Sequence, residues 1–85
     1  MNGDRQQWRQ HLEQFLRTIQ KPGKPLESLG ESDGLVSSGL IDSLALVQIV
    51  LYLEETYGID FAARGFDPDR LASMASILDL IEETR

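Results

Sequence analysis

Gly39-Leu40-Ile41-Asp42-Ser43-Leu44-Ala45-Leu46-Val47-Gln48-Ile49-Val50-Leu51-Tyr52-Leu53-Glu54-Glu55-Thr56-Tyr57-Gly58 is the stretch on which the fold turns. Its spacing predicts a helix from Asp42-Ser43 to about Tyr57, with Asp42 as N-cap and Gly58 in the left-handed position past the last turn. Ile41 and Leu46 then stand at the N′ and N4 positions of a hydrophobic staple. At about 100° per residue, Leu46, Val47, Ile49, Val50, Leu53 and Tyr57 form a broad face suited to a core. Leu44, Ala45, Gln48, Leu51, Tyr52 and Glu55 gather on the other side. Two leucines and a tyrosine facing outward suggest a contact surface. The bland alternative is a scatter of exposed apolar residues of no consequence.

Working outward, the segment before this helix carries Trp8, Leu12, Phe15, Leu16 and Ile19 along one face of a helical period. Asp4 and Gln7 have capping-box spacing at its start, and Lys21-Pro22-Gly23-Lys24-Pro25 ends it. From Gln20 to Ile41 no period is sustained. The irregular Leu26, Leu29, Leu35, Val36, Leu40 and Ile41 suit a long loop pinned across a core, with Gly30, Gly34 and Gly39 supplying turns.

Downstream, Ala62-Ala63-Arg64-Gly65 reads as flexible chain. Asp67-Pro68 opens a short helix with a capping Asp and Pro at N1, and Phe66 and Leu71 have staple spacing around it. Ser73 caps a final helix whose Met74, Ile77, Leu78 and Ile81 share one face. Nothing alternates as a strand. The expected fold is all-α: a four-helix bundle of three longer helices and one short one, with a long first loop. Residues 1–85 are read as a single domain.

Composition excludes several function classes. The chain has no cysteine, one histidine and a formal net charge of −6. Without cysteine there is no disulfide, zinc-thiolate site or protein-borne thiol. No apolar run reaches about 18 residues, so no transmembrane helix is expected. Met1-Asn2-Gly3-Asp4 lacks the apolar core of a secretory signal, which points to the cytoplasm. The charge is asymmetric: residues 1–25 sum to +3 and residues 26–85 to −9. An acidic body repels phosphate backbones and counts against nucleic-acid binding, including a small helical DNA-binding domain. Its acids serve solubility or steer basic protein partners.

The chemistry gathers at Ser43. A serine where a helix begins is well placed to hold a phosphate, because free N–H groups and the helix dipole both favour an anion. Taken alone, Asp-Ser-Leu is more often an ordinary cap. No base is recognisable to make Ser43 a nucleophile, and His11 is far away in sequence, which argues against a serine hydrolase. A helical interaction module with Ser43 as a simple cap is the alternative reading.

Gly39-Leu40-Ile41-Asp42-Ser43-Leu44, followed by Val47, Val50, Leu53, Glu54 and Glu55, resembles the prosthetic-group segment of acyl carrier proteins. The resemblance covers nearly the whole chain. It implies that Ser43 carries 4′-phosphopantetheine through a phosphodiester, donated from coenzyme A by a separate phosphopantetheinyl transferase, with Asp42 as the acidic neighbour. It also implies a monomer that is not itself an enzyme, and explains the missing cysteine, since the arm brings its own thiol. The implied partners are a ligase that loads an acyl or aminoacyl group and a downstream acyltransferase or synthase. Docking is expected on Leu44, Gln48, Leu51 and Glu55. Carriers of fatty-acid synthesis usually have acids two and five residues after the serine, where this chain has Ala45 and Gln48. Val47-Gln48 and Phe66-Asp67 look more like D-alanyl and free-standing aminoacyl carriers, which points to a specialised pathway.

Overall fold

Amphipathic spacing in the first segment builds α1, Asn2–Ile19, with Leu12 and Leu16 fully buried and Trp8, Phe15 and Ile19 packed around them. The structure, a computed structural model, describes residues 2–21, 29–65 and 67–84. After the long loop come α2 (Ala45–Tyr57), α3 (Phe61–Arg64), a 3-10 turn (Pro68–Leu71) and α4 (Met74–Thr84). No strand occurs among the described residues, so the fold is all-α, as the spacing predicts. α4 packs on α1 and on the 3-10 turn, and that turn also touches α2.

The long loop is a structural member in its own right. Leu35, Leu40 and Ile41 are buried with the helices' residues. The loop runs beside the start of α4: Leu35 N–H donates to the Ala72 carbonyl at 2.7 Å, and Ala75 N–H donates to the Glu31 carbonyl at 2.9 Å. Lys21 N–H donates to the Leu40 carbonyl at 2.7 Å, which ties the end of α1 to the end of the loop. Ion pairs add a second tie. Arg9 meets Glu31 at 2.9 Å, and Arg5 reaches Asp79 at 3.0 Å and Glu82 at 3.1 Å. Part of the opposite charge of the two halves is thus spent joining α1 to the loop and α4. Each such exposed pair contributes little by itself.

Local chemistry sets the ends. Ser73 and Ser76 form a reciprocal box: Ser73 Oγ accepts from Ser76 N–H at 3.2 Å and Ser76 Oγ accepts from Ser73 N–H at 3.1 Å. Asp67 caps the 3-10 turn by accepting from Asp69 N–H at 3.0 Å, with Pro68 inside the first turn. Gly58 closes α2 at φ 68°, and its N–H donates to the Glu54 carbonyl.

Several expectations need correction. Asp4 lies inside the first turn of α1, because the helix begins at Asn2, so it is not the N-cap. Ala62-Ala63-Arg64 is helical rather than flexible: Asp60 Oδ1 accepts from Ala63 N–H at 3.2 Å and nucleates the single turn of α3. In α2 the buried line is Ala45, Ile49 and Leu53, which rotates the core face away from its expected position. Val47, expected inside, is 59% exposed, whereas Ala45, expected outside, is buried. Tyr52 also turns inward and stacks on Phe15, ring centroids 4.4 Å apart, with Tyr57 edge-on to it at 6.0 Å. Leu26, the two prolines after Lys21 and the Phe66 staple lie outside the described residues.

Candidate functional site

The loop approaches α2 through Gly39, whose φ of 85° is a left-handed conformation that favours glycine. That turn sends Leu40 and Ile41 into the core at 2% and 1% exposure. The next residues come back out, and Asp42, Ser43 and Leu44 are all exposed. Ala45 then returns to the core. Ser43 therefore stands on a short outward turn clamped at both ends by buried residues. A side chain so placed is fixed in position and open to another protein.

The regular helix begins at Ala45, later than Asp42-Ser43 as the sequence suggests. Asp42 still organises the entrance. Its Oδ1 and its carbonyl both accept from Ala45 N–H at 3.1 Å. Leu46 N–H donates to the Ser43 carbonyl at 3.3 Å and Val47 N–H to the Leu44 carbonyl at 3.2 Å. These bonds span three residues, so the lead-in is a tight turn rather than a full α turn. The physical reason is the pair Ile41 and Ala45: burying both within so few residues tightens the backbone between them. Asp42 is the capping side chain of this lead-in, and Ser43 has no capping duty. Among the described residues, the Ser43 hydroxyl and the Ser43 and Leu44 amides make no hydrogen bond. A free hydroxyl beside free N–H donors suits a phosphodiester, whose negative oxygens need such partners.

A groove of about 320 Å³ opens beside Ser43. Ser43 and Leu46 form one side, Val36 and Ser37 of the loop another, and Pro68 and Ala72 the third. The exposed surface of α2 and its entrance is also apolar. Leu44 is 78% exposed and Leu51 51%, and Val47 lies between them. Gln48 and Glu55 are exposed on the same side of α2. Val47 was hidden from sequence reasoning by its apolar character. The available signal was Glu54, seven residues on and so on the same helical line, since a charged side chain there needs water or a partner. His11 is exposed on α1. Among the described residues no group of His, Cys, Asp and Glu has the arrangement of a metal site.

The long loop thus delivers an exposed serine, without a hydrogen bond among the described residues, to a helix entrance. The chain belongs to the family described as phosphopantetheine attachment site, whose model matches residues 13–82. The group these proteins bind covalently is 4′-phosphopantetheine, and it is this chain's cofactor. Carrier domains of this kind are generally non-catalytic and work with modifying and acyl-handling enzymes. No curated protein and no solved structure matches the chain. Among the described residues no helix is long and apolar enough to cross a membrane.

Proposed function

We propose that Ser43 is the attachment point and that the protein carries an acyl or aminoacyl group as a thioester between enzymes. The observation that carries this reading is the Ser43 hydroxyl itself: exposed, without a hydrogen bond among the described residues, and held on a turn pinned by Ile41 and Ala45. Once bound, the phosphopantetheine arm supplies the thiol that this cysteine-free chain lacks. The chain's own part is to present and to hold still. Asp42 fixes the turn, Ser43 offers the oxygen, and the free amides beside it face the phosphate.

Presentation also requires a surface that a partner recognises. Leu44, Gln48, Leu51 and Glu55, with Val47 added by the structure, form a face next to Ser43 on which a transferase, a loading ligase and a downstream acyltransferase or synthase take turns. Such docking is brief and reversible, and a small apolar patch rimmed by acids suits it. Each partner then meets the cargo at the raised effective concentration that tethering gives.

An amino acid or short acid is the favoured cargo, in a specialised pathway of the cytoplasm. Gln48 is the residue that supports this, because it stands where fatty-acid carriers place an acid on the docking face. Ala45 carries less weight than the sequence suggests. It is buried, and a carboxylate there would sit in the apolar core rather than meet a partner. The test is to modify the protein with coenzyme A and a broad-specificity transferase, then offer adenylating ligases, ATP and a panel of acids. Intact mass should show aminoacyl or short acyl loading. Efficient elongation by fatty-acid-synthase enzymes, with no aminoacylation, contradicts the cargo assignment.

A further inference from the structure

Ser43 hangs from a series of contacts that begins on α1. Ile41, two residues before Ser43, donates its N–H to the Leu35 carbonyl at 3.2 Å. Leu35 is fully buried, and its own N–H donates to the Ala72 carbonyl at 2.7 Å. Gly34 and Ser73 form an antiparallel bridge beside that bond. The next tie along this seam is Glu31, whose carbonyl accepts from Ala75 N–H at 2.9 Å. Ala75 lies in the first turn of α4, where an amide has no partner within its own helix. The loop's register against α4 therefore decides where Ile41, and then Ser43, emerge. Glu31 alone in this seam also reaches α1 through its side chain: Arg9 Nη1 lies 2.9 Å from Oε2 and Arg5 Nη2 3.9 Å from Oε1. One residue thus joins α1 by its carboxylate and α4 by its carbonyl.

We propose that Glu31 is a positioning residue for the modification of Ser43, setting the loop's register from α1 through Leu35 and Ile41. This role rests on Ser43 as the attachment point. The carboxylate is only partly buried, so its ion pairs add little to overall stability. What they supply is place. Two guanidinium groups one turn apart on α1 each meet a different oxygen of Glu31, which fixes the carboxylate along the helix as well as against it. Without that grip, the Glu31 carbonyl bond to Ala75 is left to hold the start of the seam alone. Lys21 N–H still holds the far end of the loop through the Leu40 carbonyl. Loosening at Glu31 therefore widens the excursions of Ser43 without releasing it. A hydroxyl that must meet a reacting phosphorus is sensitive to displacements of about 1 Å. The proposed docking face on α2 does not include Glu31, so binding of the transferase is spared and the placing of the hydroxyl is not.

The test compares wild type, Glu31→Gln and Glu82→Gln as substrates of a broad-specificity transferase with coenzyme A, using peptide mapping to locate the added group. Glu82 pairs with the same Arg5 but belongs to α4, so Glu82→Gln removes an equal charge and leaves the loop's own tie in place. Glu31→Gln should lower kcat by about 3- to 10-fold with KM within about twofold of wild type. Hydrogen exchange at the Leu35, Ile41 and Ala75 amides of the unmodified protein should quicken by about threefold or more, while the urea midpoint holds. Glu82→Gln should match wild type in both readouts. A group mapped to Ser43, with kcat unchanged in Glu31→Gln, overturns the positioning role and leaves the attachment reading standing. Unchanged exchange at these amides overturns it too, as does an equal loss of kcat in Glu82→Gln. A group mapped elsewhere than Ser43 overturns both readings.

Discussion

α2 and α4 look alike as sequences, yet the fold uses them differently. Of the eleven residues of α4, Met74, Ile77, Leu78, Leu80 and Ile81 are buried, and its remaining positions are small or polar. Of the thirteen in α2, only Ala45, Ile49 and Leu53 are buried, although the helix is at least as rich in Leu, Ile and Val. The surplus in α2 lies on the surface, as Val47 and Leu51 in the helix and Leu44 at its entrance. α4 therefore carries what the core requires. α2 carries that and a second apolar face, outside the core, beside Ser43. Apolar residues that the core does not use, kept together beside Ser43, support the proposed docking face.

The comparison predicts that core and surface leucines of α2 separate cleanly. Leu53→Ala removes a fully buried side chain and should destabilise the fold by about 2–5 kcal/mol, read from urea unfolding. Leu51→Ala, half a turn away, should change stability by less than about 0.5 kcal/mol. A similar loss of stability in both variants would break the distinction.

The second effect is on partners. Leu51→Ala and Leu44→Ala should each lower the kcat/KM of the transferase or ligase by an amount equivalent to about 1–2 kcal/mol, with circular dichroism unchanged. Raising salt should weaken docking only moderately, because Gln48 carries no charge on this face. A Glu54→Gln/Glu55→Gln variant that loses most activity while both leucine variants keep theirs would show that charge, not apolar contact, governs docking.

A smaller change at the other end of α2 sharpens the contrast. Gly58 is left-handed with φ 68°, and a Cβ there meets nothing within 4 Å. Gly58→Ala should therefore cost about 1 kcal/mol from backbone strain alone, with partner turnover unaffected. A neutral substitution would mean that the helix end rearranges freely.

The weakest effect comes from the third side of α2, where Tyr52 stacks on Phe15. Its hydroxyl is buried beside that of Tyr57, and among the described residues neither these two hydroxyls nor Gln20 Oε1 makes a hydrogen bond of good geometry. Burial pushes the Tyr52 phenol well above its ordinary range, and Tyr57 beside it adds to the rise. A raised folded-state value means the unfolded chain ionises first. Stability from Tyr52 is thus complete below about pH 10 and declines as pH rises beyond it. Tyr52→Phe should flatten this alkaline decline and be neutral or slightly stabilising at pH 7, since the lost hydroxyl makes no well-formed hydrogen bond among the described residues. An unchanged alkaline slope would place its origin elsewhere.

Much of this was legible in the sequence because it rests on local chemistry. The α1 stripe, the Gly58 stop, the Asp67-Pro68 turn and the Ser73 cap depend on residues within one or two turns of each other. What the sequence obscured depends on tertiary choice. α2 is apolar nearly all round, so several rotations satisfy a period, and only packing selects the Ala45-Ile49-Leu53 line. The same ambiguity placed Val47 inside and Tyr52 outside. The start of α2 moved because Ile41 and Ala45 both reach the core, a constraint invisible in capping patterns. α3 escaped notice because one turn is too short to display a period, although Asp60 before Phe61-Ala62-Ala63 is a capping signal. At the site, the motif pointed to Ser43 and Asp42, but the groove of Val36, Ser37, Pro68 and Ala72 joins segments far apart in sequence.

The most direct test of the account is intact mass after incubation with coenzyme A and a broad-specificity phosphopantetheinyl transferase, on wild type, Ser43→Ala and Ser37→Ala. The account predicts one phosphopantetheine on wild type and on Ser37→Ala, none on Ser43→Ala, and unchanged helicity in all three because Asp42 holds the turn. Modification of Ser43→Ala, or its loss in Ser37→Ala with Ser43 intact and the fold preserved, would contradict it.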